Sequence, residues 1–172
     1  MKSRPTIAEL FRELRYPIEL FNKQGKPIYY ENDRGYWWKA EYDAQGKETY
    51  YEDSIGYWYK SEHDPQGKRT YYENSKGDWI KRKYDVQGKQ THYEDSNGDW
   101  ENWEYDAQGK ETYYEDSNGY WVKSEYDVQG NRTYYEDKYG YKRGTPKNAH
   151  QELTIEQIEA KLGYKVKIIG DK

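Results

Sequence analysis

The stretch YDAQGKETYYEDSNGYWVKSEYD, residues Tyr105 to Asp127, begins and ends on the same Tyr-Asp pair and carries one glycine in each half, Gly109 and Gly119. Working outward from it, Tyr-Tyr-Glu or a close variant recurs at Tyr29, Tyr50, Tyr71, His92, Tyr113 and Tyr134, always 21 residues apart. Two glycine series keep that step, Gly25 to Gly130 and Gly35 to Gly140. So do Trp37, Trp58, Trp79, Trp100 and Trp121, a series that ends in Lys142. A fixed period of this length marks a repeat architecture, in which each unit covers its surface only by stacking on its neighbours. Six tandem units therefore fill residues 21–141, between an N-terminal segment of 1–20 and a C-terminal segment of 142–172.

Within one unit, the run 110–115 is rich in β-formers, and Asp116-Ser-Asn-Gly119 is a hairpin signal because Asn-Gly tolerates positive φ. Tyr120 to Tyr126 reads as a second strand and Asp127 to Gly130 as a second turn. Each unit is thus a β-hairpin. The fold class expected is mainly β, an elongated, coiled antiparallel sheet or solenoid of about twelve strands. Glycines at alternating steps of about ten and eleven residues exclude helix here.

An odd period constrains the loops. Side chains alternate faces along a strand, so a unit returns to the same face only if one loop is even and one odd, or if each unit holds a bulge. A two-residue Asn118-Gly119 loop with a three-residue Val128-Gln129-Gly130 loop satisfies the first option. That register puts Thr112, Tyr114, Trp121, Lys123 and Glu125 on one face, and Glu111, Tyr113, Tyr120, Val122, Ser124 and Tyr126 on the other. Compared between units, the first face is nearly constant and the second varies. Position 122 corresponds to Trp38, Tyr59, Ile80 and Glu101, and position 124 to Ala40, Ser61, Arg82 and Trp103.

The ends are built differently. Thr6-Ile-Ala-Glu9 is a capping box opening a helix with Ile7, Leu10, Phe11 and Leu14 on one face. Thr154-Ile-Glu-Gln157 opens a second helix that stops at Gly163, and residues 164–169 alternate like a last strand. Such caps cover the open edges that a repeat sheet would otherwise expose.

The composition fits a sheet held by rings, with 23 tyrosines and seven tryptophans against few aliphatic residues in the repeats. The absence of cysteine excludes disulfides and thiolate chemistry. No stretch is apolar enough for a signal or a membrane span, so a soluble, cytoplasmic protein with no membrane contact is expected. Residues 21–141 carry 17 Lys and Arg against 25 Asp and Glu, while 142–172 carry seven against four. An acidic body with a basic tail suits a basic protein surface, and direct nucleic-acid binding is not expected.

The pattern Tyr105-Asp106-x-x-Gly109, Asp116-x-x-Gly119, Tyr126-Asp127 resembles the tyrosine-aspartate (YD, or RHS-type) repeat. Phe21-Asn22 and His63-Asp64 are weakened copies. The resemblance implies hairpin units in a long spiralling sheet, which in that family often forms a shell around a toxin. Six units are too few to close such a shell. In size and composition the chain is also similar to small repeat proteins of prophages and mobile elements, including host-defence inhibitors.

Catalytic patterns are missing. His63 and His92 replace repeat tyrosines, no histidine pair has zinc spacing, and Ser54, Ser75, Ser96 and Ser117 lie in turns with no histidine at a repeated offset. Carboxylate pairs such as Glu115-Asp116 recur in four of the six units, whereas catalysis needs one unique pocket. The Asp-Ser-Asn-Gly loops lack the alternating acidic ligands of a calcium loop. No enzyme activity, cofactor or metal is expected. The partner expected is another protein, with a basic nucleic-acid-handling host enzyme such as a CRISPR effector as the leading reading, met by occlusion or acidic mimicry. The alternative is an aromatic glycan- or cell-wall-binding module. Candidate contact residues are Tyr36, Trp38, Tyr57, Tyr59, Arg82, Asp99, Glu101, Trp103 and Tyr120, chosen for the variable face and the preference of interface hot spots for Trp, Tyr and Arg.

Overall fold

The computed structural model describes residues 15–147 and 154–165. These hold one antiparallel sheet in which strands pair strictly in chain order. The strands are β1 (Ile18–Phe21), β2 (Pro27–Glu31), β3 (Trp37–Tyr42), β4 (Glu48–Asp53), β5 (Trp58–His63) and β6 (Arg69–Asn74). They continue as β7 (Trp79–Tyr84), β8 (Gln90–Asp95), β9 (Trp100–Tyr105), β10 (Glu111–Asp116), β11 (Trp121–Tyr126), β12 (Arg132–Asp137) and β13 (Lys142–Gly144). The sheet therefore has thirteen strands, one more than the hairpin count, because β1 starts ahead of the first unit.

Both loops of a unit have the same geometry. In one, the Gly119 N–H donates to the Asp116 carbonyl and the Asp116 N–H to the Tyr120 carbonyl, 2.9 and 3.0 Å. In the other, Gly130 donates to Asp127 and Asp127 to Asn131, 3.0 and 2.9 Å. Each is a three-residue loop with the glycine at positive φ, 70° at Gly119 and 83° at Gly130, and among the described residues no other residue type takes positive φ. The aspartate side chain pins the loop: Asp116 Oδ1 accepts the N–H groups of Asn118 and Tyr120 at 2.9 and 3.0 Å.

The two-residue Asn118-Gly119 loop expected from the sequence is thus not formed. It would need positive φ at Asn118 as well as at Gly119. With two odd loops, the face is restored by the other option, a bulge in every unit. Glu125 lies opposite Tyr134 and Tyr126 opposite Arg132, which leaves Thr133 without a partner. Thr49, Thr70, Thr91 and Thr112 are skipped in the same way. The constant threonine is the bulged residue.

The longer loop slips the register of each hairpin by one residue, and this exchanges the faces of the two repeat tyrosines. Tyr113 lies opposite Lys123 and Glu115 opposite Trp121, whereas Tyr114 lies opposite Val122. The face expected to join Tyr114 to Trp121 and Lys123 carries Tyr113 instead. One face of the sheet is a ladder of Trp, Lys, Glu and the first repeat tyrosine. The other carries the second repeat tyrosine together with the variable positions.

Among the described residues, substantial contacts between elements run only from each strand to its neighbours, so the sheet they form is a single layer. Among the described residues the buried apolar side chains are Ile18, Ala40 and Tyr134. Helix α1 (Ile155–Leu162) forms as expected, with a Thr154–Gln157 capping box and Gly163 left-handed at its end. The expected N-terminal helix over 6–14 lies outside the described residues. So does the last strand over 164–169, apart from Tyr164 and Lys165, which are not in a strand.

Candidate functional site

Trp38, Tyr59, Arg82, Glu101 and Trp103 do share one face, because each pairs with a residue of the second-tyrosine row or its neighbours: Trp38 with Tyr30, Tyr59 with Tyr51, Arg82 with Tyr93, Glu101 with Tyr93 and Trp103 with Tyr114. What the sequence reading missed is that the second tyrosines stand between them. Tyr30, Trp38, Tyr51, Tyr59 and Tyr72 form one continuous row with centroids 6.3, 6.2, 5.4 and 5.8 Å apart, and the first three pairs are stacked. Offset ring pairs of this kind add about 0.5–1.5 kcal/mol each beyond their buried area. The row is interrupted at Ile80 and resumes differently in the next unit, where the ring has moved from position 101 to 103. Trp103 lies 5.7 Å from Tyr114, and the Tyr114 hydroxyl donates to Glu101 at 3.1 Å.

The loop residues in the candidate set reach the same face. The hydroxyls of Tyr36 and Tyr51 lie 3.4 Å apart, and those of Tyr57 and Tyr72 lie 3.3 Å apart. Tyr120 is within 6.2 Å of both Tyr114 and Tyr139. Asp99 accepts from the Ser117 hydroxyl at 3.4 Å, across to the next unit. Arg82 lies 5.5 Å over the Tyr93 ring. Burial, and then Glu101, pushes the Tyr114 hydroxyl up to about 12. Burial and the Tyr36 hydroxyl raise Tyr51 in the same direction. These tyrosines stay neutral donors across the physiological range.

Both long sides of the sheet are latched between units. On one side Gln24, Gln45, Gln87 and Gln108 donate Nε2–H to the carbonyls of Ala44, Pro65, Ala107 and Val128, 20 residues on. On the other, the N–H groups of Ser75, Ser96 and Ser117 donate to the carbonyls of Trp58, Trp79 and Trp100 at 2.9, 3.0 and 2.9 Å. The repeated serines serve the scaffold, as do the loop carboxylates.

His63 takes the place of a tyrosine whose hydroxyl elsewhere donates to an earlier carbonyl, as Tyr105 does to Gln90 at 2.9 Å. The shorter imidazole instead puts Nδ1 3.7 Å from the Asp43 carboxylate, without a hydrogen bond. Charge is not evenly spread either. Residues 64–84 carry six Lys and Arg against three Asp and Glu, and residues 85–105 carry one against six. The acidic body of the sequence reading resolves into a basic unit beside a strongly acidic one.

No protein-family model matches the chain, and no curated protein matches it in sequence. Among solved structures it is similar to the crystal structure of TcdB2-TccC3-TEV at 15% identity and a TM-score of 0.47, over 70% of this chain and 7% of that one. It is similar to the crystal structure of TcdB2-TccC3 at 14% identity and a TM-score of 0.45, over 69% and 7% of the two chains. A Photorhabdus luminescens Tc holotoxin pore carrying a TccC3 mutation gives 12% identity and a TM-score of 0.39, over 73% and 9%. The chain thus spans less than a tenth of the length of each of these. By its own strands it is a tandem β-hairpin repeat protein built as one open antiparallel sheet.

Proposed function

We propose that the chain is a non-enzymatic, protein-binding repeat whose partner lies against the tyrosine-stack face. The observation that carries this reading is the single-layer sheet, which leaves a long row of half-buried rings with no strand packed over it among the described residues. Large half-exposed aromatic strips of this kind mark interaction surfaces. Trp38, Tyr59 and Trp103 are the anchors, with Arg82 beside them and Tyr36, Tyr57, Tyr120, Asp99 and Glu101 at the rim. The non-catalytic reading is supported by the use made of the repeated carboxylates, which hold loops and tyrosine hydroxyls. A protein is favoured over a glycan because the stacked rings turn their faces toward one another, and sugars need exposed ring faces.

The finer reading is an inhibitor carried by a phage or mobile element, covering a host defence enzyme in the cytoplasm. Its support is the acidic unit at 85–105, which suits the basic groove of a nucleic-acid-handling enzyme. A pull-down from host lysate beside a polysaccharide-binding assay supplies the partner. Alanine substitution of Trp38, Tyr59 and Trp103, one at a time, then lowers affinity by about 2 kcal/mol at an anchor while circular dichroism is kept. Unchanged affinity in all three folded variants rejects this face. Steep weakening with salt assigns the contact to Asp99 and Glu101, and salt-independence assigns it to the rings.

A further inference from the structure

The six units act as internal controls for one another, and on the Trp-Lys-Glu face they differ sharply at one rung. The first repeat tyrosine is present at 29, 50, 71, 113 and 134, and only His92 departs from it. Across the strand pair that precedes it, the partner is Glu41 for Tyr50, Glu62 for Tyr71, Glu104 for Tyr113 and Glu125 for Tyr134, with Leu20 for Tyr29 on the edge strand β1, but Lys83 for His92. Across the strand pair that follows, the partner is Lys39 for Tyr29, Lys60 for Tyr50, Lys81 for Tyr71 and Lys123 for Tyr113, with Gly144 for Tyr134 on the edge strand β13, but Asn102 for His92. Three singular substitutions thus lie side by side on β7, β8 and β9. Together they remove the acid from one side of the rung, place a cation there, and turn the cation on the other side into a neutral amide.

The geometry fixes the protons. Asn102 Nδ2 donates to Glu115 Oε1 at 3.1 Å, and a carboxylate only accepts, so the amide oxygen is the atom turned to His92. His92 Nδ1 lies 2.7 Å from that oxygen and must be the donor. Nε2 has no hydrogen-bond partner among the described residues. Lys83 is exposed and makes no ion pair or hydrogen bond among them, whereas Lys81 is held by Glu94 at 3.5 Å. Lys83 and His92 open onto a shallow recess lined also by Glu62, Tyr71, Lys81 and Glu94.

Four other rungs, with glutamate in the place of Lys83, show that the fold does not require a lysine there. We infer that this recess receives a single carboxylate from an acidic segment of a partner protein, gripped by the Lys83 ammonium and by His92 through Nε2–H. Nucleic acid does not suit it: Glu62, Glu94 and Glu104 surround the rung, and a string of phosphates would meet them, whereas one side-chain carboxylate fits between. Protonation of His92 turns Nε2 into a donor, so binding tightens with acidity. The groups facing His92 are Lys81 and Lys83 from β7, Asn102 and Glu104 from β9 and Glu94 on its own strand, with Glu115 behind Asn102. The site lies on the face opposite the tyrosine stack and stands or falls independently of it.

The test uses the full chain and a fluorescent peptide of alternating glutamate and glycine, followed by anisotropy at low ionic strength. The parent chain binds, and more tightly at about pH 6 than at about pH 8. Lys83→Glu and His92→Tyr install the residues of the other rungs, so they keep the fold, and each weakens binding about three- to tenfold. Lys76→Glu, with the same charge change in a distant loop, leaves it unchanged. The inference is overturned if the parent chain does not bind the peptide, if Lys83→Glu binds as well as the parent, or if binding is the same at both pH values. It is equally overturned if Lys76→Glu weakens binding as much as Lys83→Glu, or if single-stranded DNA binds with this dependence and the peptide does not.

Discussion

The backbone N–H of Ser54, in the turn between β4 and β5, donates to the carbonyl oxygen of Trp37, the first residue of β3, at 2.8 Å. That bond joins the turn of one hairpin to the start of the second strand of the hairpin before it, and it recurs in the following units. In a sheet with almost no buried apolar core, such latches and the ring rows do the work that oil does elsewhere.

The latch is testable with proline, which removes one N–H. Ser75 is the second residue of a type I turn, a position that favours proline, so the turn itself tolerates the change. Ser75→Pro therefore loses the bond to the Trp58 carbonyl and the 3.3 Å contact from the Trp58 N–H to the serine oxygen. We expect a loss of about 1–3 kcal/mol in urea unfolding. Ala44→Pro, at the position that Pro65 fills in the next unit, should be neutral or slightly stabilising. Equal effects at the two sites would remove the latch from the account.

Gly77 tests the loop geometry alone. It has φ of 88° and nothing within 4 Å of an added Cβ, so Gly77→Ala introduces strain without a clash. A loss of about 1–2 kcal/mol is expected, and a smaller one for Gly77→Asn. A neutral Gly77→Ala would mean that the loop relaxes to another turn.

The ring row should be strongest where it is continuous. Tyr51 stacks on Trp38 and Tyr59, so Tyr51→Leu should cost about 1–3 kcal/mol. Tyr93 has Arg82 over its ring instead, and Tyr93→Leu should cost less. Thermal unfolding of the two variants ranks them, and the reverse order would contradict the stack as a source of stability.

Base should unfold the sheet steeply. Tyr50, like Tyr114, is pushed up to about 12 from an ordinary 10.0, first by burial and then by a carboxylate partner, Glu52 for Tyr50. A raised folded value means that stability is complete below 10 and falls as pH rises toward 12, because the unfolded chain gives up its protons first. Tyrosinate absorbance and loss of β circular dichroism should therefore rise together. Ionisation near 10 with the sheet intact would show that these hydroxyls are not held.

The sequence by itself determined the architecture: the 21-residue step, the hairpins, strands within a residue or two of β10 and β11, and helix α1 with its Thr154 cap. Those features are local, since turn glycines, β-forming runs and capping boxes act within a few residues. The tertiary structure decided the register. Asp-Ser-Asn-Gly is compatible with a two- or a three-residue loop, and the difference of one residue moves Tyr114 from the company of Trp121 to that of Val122. The bulge at Thr133 is equally silent in its own neighbourhood, because it exists only to reconcile two odd loops. Most of the candidate face survived the slip, since Trp38, Tyr59 and Arg82 occupy one strand parity whatever their partners do. The rung of Lys83, His92 and Asn102 was written in the sequence as three single departures from the repeat. Only pairing across β7, β8 and β9 made them neighbours, because contacts between strands are set by hydrogen-bond register and not by distance along the chain.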